Sequence, residues 1–179
     1  MWKEVKKEIK FLVDKNVKLI KFVDRTFNCN HKFAMKIWEY IVSLDTDATF
    51  HFEISADLLT KEELEILSKA KDGRIQFEVG VQTTNNEVLK NINRYVNFQT
   101  IKEKVEELKK LKNIKQHLDL IAGLPGEDYN SFKNSFNDVY SIEPEEIQLG
   151  FLKLLKGSPM RLEAEKWGWC ILRILLMKY

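Results

Sequence analysis

The run Asp119-Leu-Ile-Ala-Gly-Leu-Pro-Gly-Glu127 reads as the mouth of a barrel strand. An apolar segment, 114–121, stops at a Gly-Leu-Pro-Gly turn and gives way to an acidic segment that starts a helix. Gly123 and Gly126 let the backbone turn sharply and come close to a ligand, and Pro125 stiffens the turn. A second strand-end turn, Glu78-Val-Gly-Val-Gln82 followed by Thr-Thr-Asn-Asn-Glu87, stands one strand earlier. Together they place polar residues at one end of a sheet and predict a parallel α/β enzyme domain.

The rest of the chain alternates in the same way. A charged helix opens it, with Val5, Ile9, Leu12 and Val13 on one face. Strand-like segments are predicted at 18–23, 48–54, 74–81, 114–121 and 146–152. A polar loop spans 24–30. Helices are expected over 31–44, after Thr60, from Thr84 through 93, from about Thr100, and over 130–140. Thr60 with Glu63, and Thr84 with Glu87, have capping-box spacing. Regular alternation of strand and helix predicts a parallel sheet.

Side chains alternate across a strand, so His51 and Glu53 share one face while Phe50, Phe52 and Ile54 take the other. Glu78, Gly80 and Gln82 oppose Phe77, Val79 and Val81. His117 and Asp119 oppose Leu118 and Leu120, and Gln148 and Gly150 oppose Ile147, Leu149 and Phe151. Each strand thus has one apolar face for covering helices and one polar face. A closed barrel of this class fills its interior with branched apolar residues. Carboxylates and amides there are costly unless they meet solvent, a ligand or one another. The expected architecture is therefore α/β: an open, partial (β/α) barrel of about five parallel strands with covering helices.

Composition narrows the function classes. A length of 179 residues suits one core, and a net charge of +2 gives no argument for nucleic acid or an anionic membrane as partner. The lysines lie among glutamates, as in Val105-Glu-Glu-Leu-Lys-Lys-Leu-Lys112, a solvated helix face. Cys29 and Cys170 are too few and too far apart for a disulfide framework or a four-ligand zinc site. The segment 167–179 is apolar but interrupted by Arg173 and too short to span a bilayer. With no signal-peptide pattern after Met1, a cytoplasmic protein is expected. The domain is expected to occupy 1–168, with an apolar tail over 169–179.

The ordered set Phe22-Val-Asp24-Arg-Thr-Phe27, Phe52-Glu53, Gly80-Val-Gln82, Asn93-Arg94, Asp119 to Glu127 and Leu154-Leu-Lys-Gly157-Ser-Pro159 resembles the radical S-adenosylmethionine (SAM) superfamily. Its nearest likeness is to the cobalamin-associated, anaerobic Mg-protoporphyrin monomethyl ester cyclase-like members and the oxygen-independent coproporphyrinogen oxidases. The resemblance covers roughly 1–168. It implies a six-stranded partial barrel whose first strand leads into a C-x-x-x-C-x-x-C loop holding a [4Fe–4S] cluster, to which SAM binds. Reductive cleavage of SAM then initiates hydrogen abstraction from a substrate.

Against that pattern the chain begins late, at the family's first helix, without the first strand or the cysteine loop. It is expected to be a truncated core with five of the six strands, inactive alone, and to meet its cluster only in the intact protein. Cobalamin would come from a separate domain. The resemblance assigns Glu53 to the SAM ribose or amino group, and Gln82 and Arg94 to the ribose and the methionine carboxylate. It assigns Asp119 to a ribose hydroxyl, and Gly123 and Gly126 to close backbone approach. Arg94 suits a carboxylate because its fork is bidentate. Asp24, His51, Glu78 and His117 are candidates for substrate contact, and no metal ligand is assigned.

Plainer roles stand beside these. Cys29 is expected to be an incidental buried or semi-buried thiol. Arg94 alone would be a surface salt bridge. The histidines would be hydrogen-bonded lumen residues. From other classes come a non-catalytic module binding a nucleoside-like ligand or a protein, and a metal-dependent hydrolase built on His51 and His117 with Glu53 and Asp119.

Overall fold

The computed structural model describes residues 2–169. Helix α1 (Trp2–Asp14) leads to strand β1 (Leu19–Lys21), then α2 (His31–Ser43), β2 (Thr49–Ile54), α3 (Lys61–Leu67) and β3 (Ile75–Gln82). Helices α4 (Asn86–Asn91) and α5 (Phe98–Leu111) precede β4 (Ile114–Ala122), followed by α6 (Tyr129–Tyr140), β5 (Glu146–Phe151) and the short α7 (Pro159–Leu162). All five strands pair in parallel, in chain order β1-β2-β3-β4-β5, and the sheet curls into a half-barrel. The expected α/β partial barrel is the fold observed.

The strand faces separate as alternation requires. Phe50, Phe52, Ile54, Phe77, Val79, Val81, Leu118 and Leu120 are buried beneath the helices. Phe52 is the centre of an aromatic group, with ring centroids 4.5 Å from Phe22, 4.4 Å from Phe27, 6.1 Å from Trp38 and 6.2 Å from Phe77. Phe27 lies in a single 3-10 turn (Phe27–Cys29) inside the loop expected over 24–30, and it is buried.

Several expectations need correction. Strand β1 is shorter than 18–23. Asn85, not Thr84, caps α4: its side chain accepts from the Glu87 and Val88 amides, while the Thr84 hydroxyl is spent on Asp138 at 2.6 Å. That helix stops before residue 93, because Asn93 takes a positive φ and the Arg94 amide turns back to the Leu89 carbonyl. Helix α5 begins earlier than Thr100, capped by Asn97. On β5 the outer face is not covered among the described residues: Leu149 and Phe151 are exposed, because α6 packs against β4 and reaches only as far as Ile147. Cys29 is exposed rather than semi-buried. The apolar tail lies, from residue 170 onward, outside the described residues.

Two buried polar groups tie helices to the sheet. Arg74, immediately before β3, donates to the carbonyls of Ile41, Leu44 and Thr46 and so satisfies the C-terminal end of α2. Thr60 and Glu63 form the expected capping box, and the fully buried Glu63 carboxylate also contacts His31 Nδ1 at 3.0 Å. Replacing Glu63 with alanine removes both the cap and the partner of His31. It is expected to cost about 1–3 kcal/mol. A thermal midpoint equal to that of the wild type would refute this.

Candidate cofactor site at the strand ends

Strand register sets the site. Glu53, Glu78, His117 and Glu146 lie across from one another on β2 to β5, and Gly80, Asp119 and Gln148 form the next row toward the strand ends. All face the lumen, away from the helices. The four sequence-assigned polar residues Glu53, Gln82, Arg94 and Asp119 therefore border the lumen with His51, Glu78 and His117. Asp24 lies exposed just beyond β1.

A row of ionisable side chains in contact crosses the lumen. His51 Nε2 lies 2.8 Å from Glu78 Oε2, Glu78 hydrogen-bonds to Asp119, and Asp119 Oδ1 lies 3.4 Å from His117 Nε2. Burial pushes Asp119 up to about 7, helped by its hydrogen bond to Glu78 and by the negative charges of Glu78, Glu53 and Glu146. Burial works against the charge on Glu78 too, but bonds from His51 and Asp119 and the nearby imidazoles hold it below the usual carboxylate range. Below about pH 7 the pair thus holds one proton, carried mainly by Asp119. Glu53 is raised by burial and by Glu78, against the pull of Arg25, Arg94 and His51.

The end of β3 is irregular. The ladder to β4 shifts between Gly80 and Gln82, and Gln82 adopts φ 70°. A non-glycine residue in the left-handed region carries strain of about 1–3 kcal/mol, which accumulates at functional sites. Arg94, three residues past the end of α4, donates from Nη1 to the Gly80 carbonyl at 2.7 Å. It is half-buried, not the surface ion pair that a lone arginine suggests. Gln82 Oε1, His117 Nε2 and Asp119 Oδ1 are buried with no hydrogen-bond partner among the described residues. Of these, the unpaired oxygens of Gln82 and Asp119, at adjacent strand ends, fit a ligand that brings donors.

The loop after β4 is held by its own contacts. Gly123 has φ 88°, and a Cβ there would stand in ordinary contact with Leu152 Cβ at 3.9 Å. Gly126, at φ 83°, faces the Asn91 amide, which donates to the Pro125 carbonyl at 2.9 Å. Sequence reasoning missed a buried polar knot beneath this loop. Thr83 donates to Glu127 at 2.6 Å and meets the Ser135 hydroxyl at 3.0 Å, joining the ends of β3 and β4 to α6. Its only signal was the Glu that ends the Gly-Leu-Pro-Gly-Glu run.

The hydrolase alternative is not favoured. His51 is committed to Glu78, and among the described residues no group of three or more His, Cys, Asp or Glu side chains could hold a metal ion. Nor do the described residues supply cluster ligands, since Cys29 stands alone at the surface.

The chain is similar to known proteins in sequence and in fold. Over 117 residues, 62% of this chain, it is 32% identical to the oxygen-independent coproporphyrinogen-III oxidase-like protein HemZ of Bacillus subtilis (strain 168), covering 22% of that protein. The fold superposes on the radical S-adenosylmethionine methyltransferase TsrM from Kitasatospora setae, solved with cobalamin and a [4Fe-4S] cluster, with a TM-score of 0.76 at 17% identity. That match covers 89% of this chain and 30% of TsrM. Coproporphyrinogen III oxidase (HemN) from Escherichia coli matches with a TM-score of 0.65 at 19% identity, over 78% of this chain and 32% of HemN. The chain thus spans less than a third of each of these proteins. The radical SAM superfamily itself matches residues 2–139, from α1 into α6. With that match, the parallel half-barrel and the polar residues gathered at its strand ends, the chain belongs to the radical SAM superfamily.

Proposed function

We propose that this chain forms the SAM-cradling part of a radical SAM enzyme's barrel. The observation that carries the reading is the set of unpaired buried acceptors, Gln82 Oε1 and Asp119 Oδ1, beside the half-buried Arg94 at the ends of β3 and β4. Ribose hydroxyls would donate to Gln82 and Asp119, and Arg94 would hold the methionine carboxylate. Glu53 would accept from the amino group or the ribose. Gly123 leaves room for close backbone approach, and Gly126 lets the same loop close over Asn91.

When bound, SAM and a [4Fe–4S] cluster supply radical initiation by hydrogen abstraction. The cluster ligands would belong to the intact protein, and cobalamin, if used, to a separate domain of it. The face carrying Asp24, His51, Glu78 and His117 would meet the substrate. Among the described residues no helix is long and apolar enough to cross a membrane, in keeping with a cytoplasmic setting.

Calorimetric titration of this chain with SAM tests the proposal. Arg94→Ala should weaken binding about 10- to 100-fold, the effect of removing a charge-assisted partner worth about 1.5–3 kcal/mol. No heat of binding from the wild-type chain, and no rise in its thermal midpoint with excess SAM, would overturn the reading.

A further inference from the structure

We infer that Gly80 is a positioning residue of the cofactor cradle: the space where its side chain would stand is the berth of the Gln82 amide, and its carbonyl anchors Arg94. The inference rests on the reading of these strand ends as the SAM cradle, and it concerns how two of the cradle's groups acquire their positions.

Gly80 does not owe its identity to its backbone. It is absent from the positive-φ glycines, and it lies within β3 where any residue could continue the strand. Space is what excludes a side chain. A Cβ on Gly80 would stand 2.3 Å from Gln82 Nε2, 3.6 Å from Gln82 Cδ and 3.5 Å from Arg94 Nη1. The two lumen neighbours in its row, Asp119 on β4 and Gln148 on β5, both carry side chains. Gly80 leaves the β3 position of that row empty.

The local backbone explains why Gln82 fills that gap. In an unbroken ladder Val81 would pair with Leu120, but the shift after Gly80 gives that partner to Gln82 instead. With φ 70° at Gln82, the side chain turns back along the strand and lies over Gly80 rather than projecting past the strand end. Its Oε1 is buried there without a partner. Arg94 reaches the same place from the chain beyond α4 and is held by the Gly80 carbonyl at 2.7 Å. An amide and a guanidinium from different elements thus take their places from one residue with no side chain. A residue acting through others in this way should affect ligand affinity far more than stability. The atom it would displace is the end of a flexible side chain, which can move away at little cost to the fold.

The test is a double-mutant cycle read by calorimetric titration with SAM, using the wild-type chain, Gly80→Ala, Gln82→Ala and the double variant. Gly80→Ala is expected to weaken SAM binding about tenfold or more, with a thermal midpoint within about 3 °C of the wild type. In the Gln82→Ala background, where the berth is empty, the same change should alter affinity by less than about twofold. Wild-type affinity in Gly80→Ala, or an equal loss in both backgrounds, would overturn the inference. A wild-type chain that does not bind SAM would instead overturn the cradle reading. The berth is then judged on the Gln82 side-chain amide resonances in a nitrogen-15 spectrum. They shift in Gly80→Ala if the amide rests on Gly80, and unshifted resonances refute the berth as well.

Discussion

Phe52→Ala is expected to destabilise the fold by about 3–5 kcal/mol, the range for emptying a large aromatic site in a packed core. Phe52 is fully buried and its ring touches those of Phe22, Phe27, Trp38 and Phe77, which come from just past β1, the turn that follows, α2 and β3. Those neighbours are rigid aromatics already in contact with one another, so they collapse poorly into the space left behind. The urea midpoint should fall with the slope of the transition unchanged, and the thermal midpoint should drop by roughly 6–20 °C. The variant also bears on the site, because Phe52 and Glu53 are neighbours on opposite faces of β2. A loosened Phe52 frees the strand that aims Glu53 into the lumen. A loss below about 1 kcal/mol would mean that this aromatic group does not hold the sheet to its helices.

The second large effect is on pH dependence, through Asp119. Its folded-state pKa is raised from 3.8 to about 7, so between those values the native chain keeps a proton that the unfolded chain has lost. Unfolding free energy therefore falls as pH rises through that window, and the penalty is complete above about pH 7. Asp119→Asn keeps a donor for Glu78 and cannot ionise. It is expected to remove this slope and, at pH 8, to be more stable than the wild type by about 1–2 kcal/mol. That figure is reduced from the full shift because solvent partly screens the side chain and Glu78 shares the proton. Urea transitions at pH 5, 6, 7 and 8 decide the point, and parallel pH dependence in the two proteins would sink it. SAM affinity should move the opposite way. A ribose hydroxyl needs the ionised carboxylate as acceptor, so wild-type binding should strengthen as pH rises toward 7, by up to about tenfold per pH unit, and then level off. Asp119→Asn should bind weakly at every pH in that range.

Alternation of apolar and polar residues determined the five parallel strands, their two faces and the open barrel, because a strand's period of two and a helix's period of 3.6 are local properties of the chain. Short-range hydrogen-bond patterns determined the Thr60 and Glu63 cap in the same way. Spacing could not distinguish Thr84 from Asn85 as the cap of α4, since the choice depends on Asp138 and Ser135 on α6, about fifty positions away. Nor did sequence reveal Arg74, whose carbonyl partners belong to α2 and the loop after it.

At the site, sequence placed Glu53, Glu78, His117 and Asp119 on lumen faces. Only the tertiary structure paired His51 with Glu78 and brought Asp119 against Glu78, because register between strands far apart in the chain sets those distances. It alone decided that Arg94 turns inward, that Gly126 packs on Asn91, and that Gly80 is the space Gln82 occupies. Each of these depends on what stands across a gap from the residue, and a single chain's order of residues does not contain that information until the chain is folded.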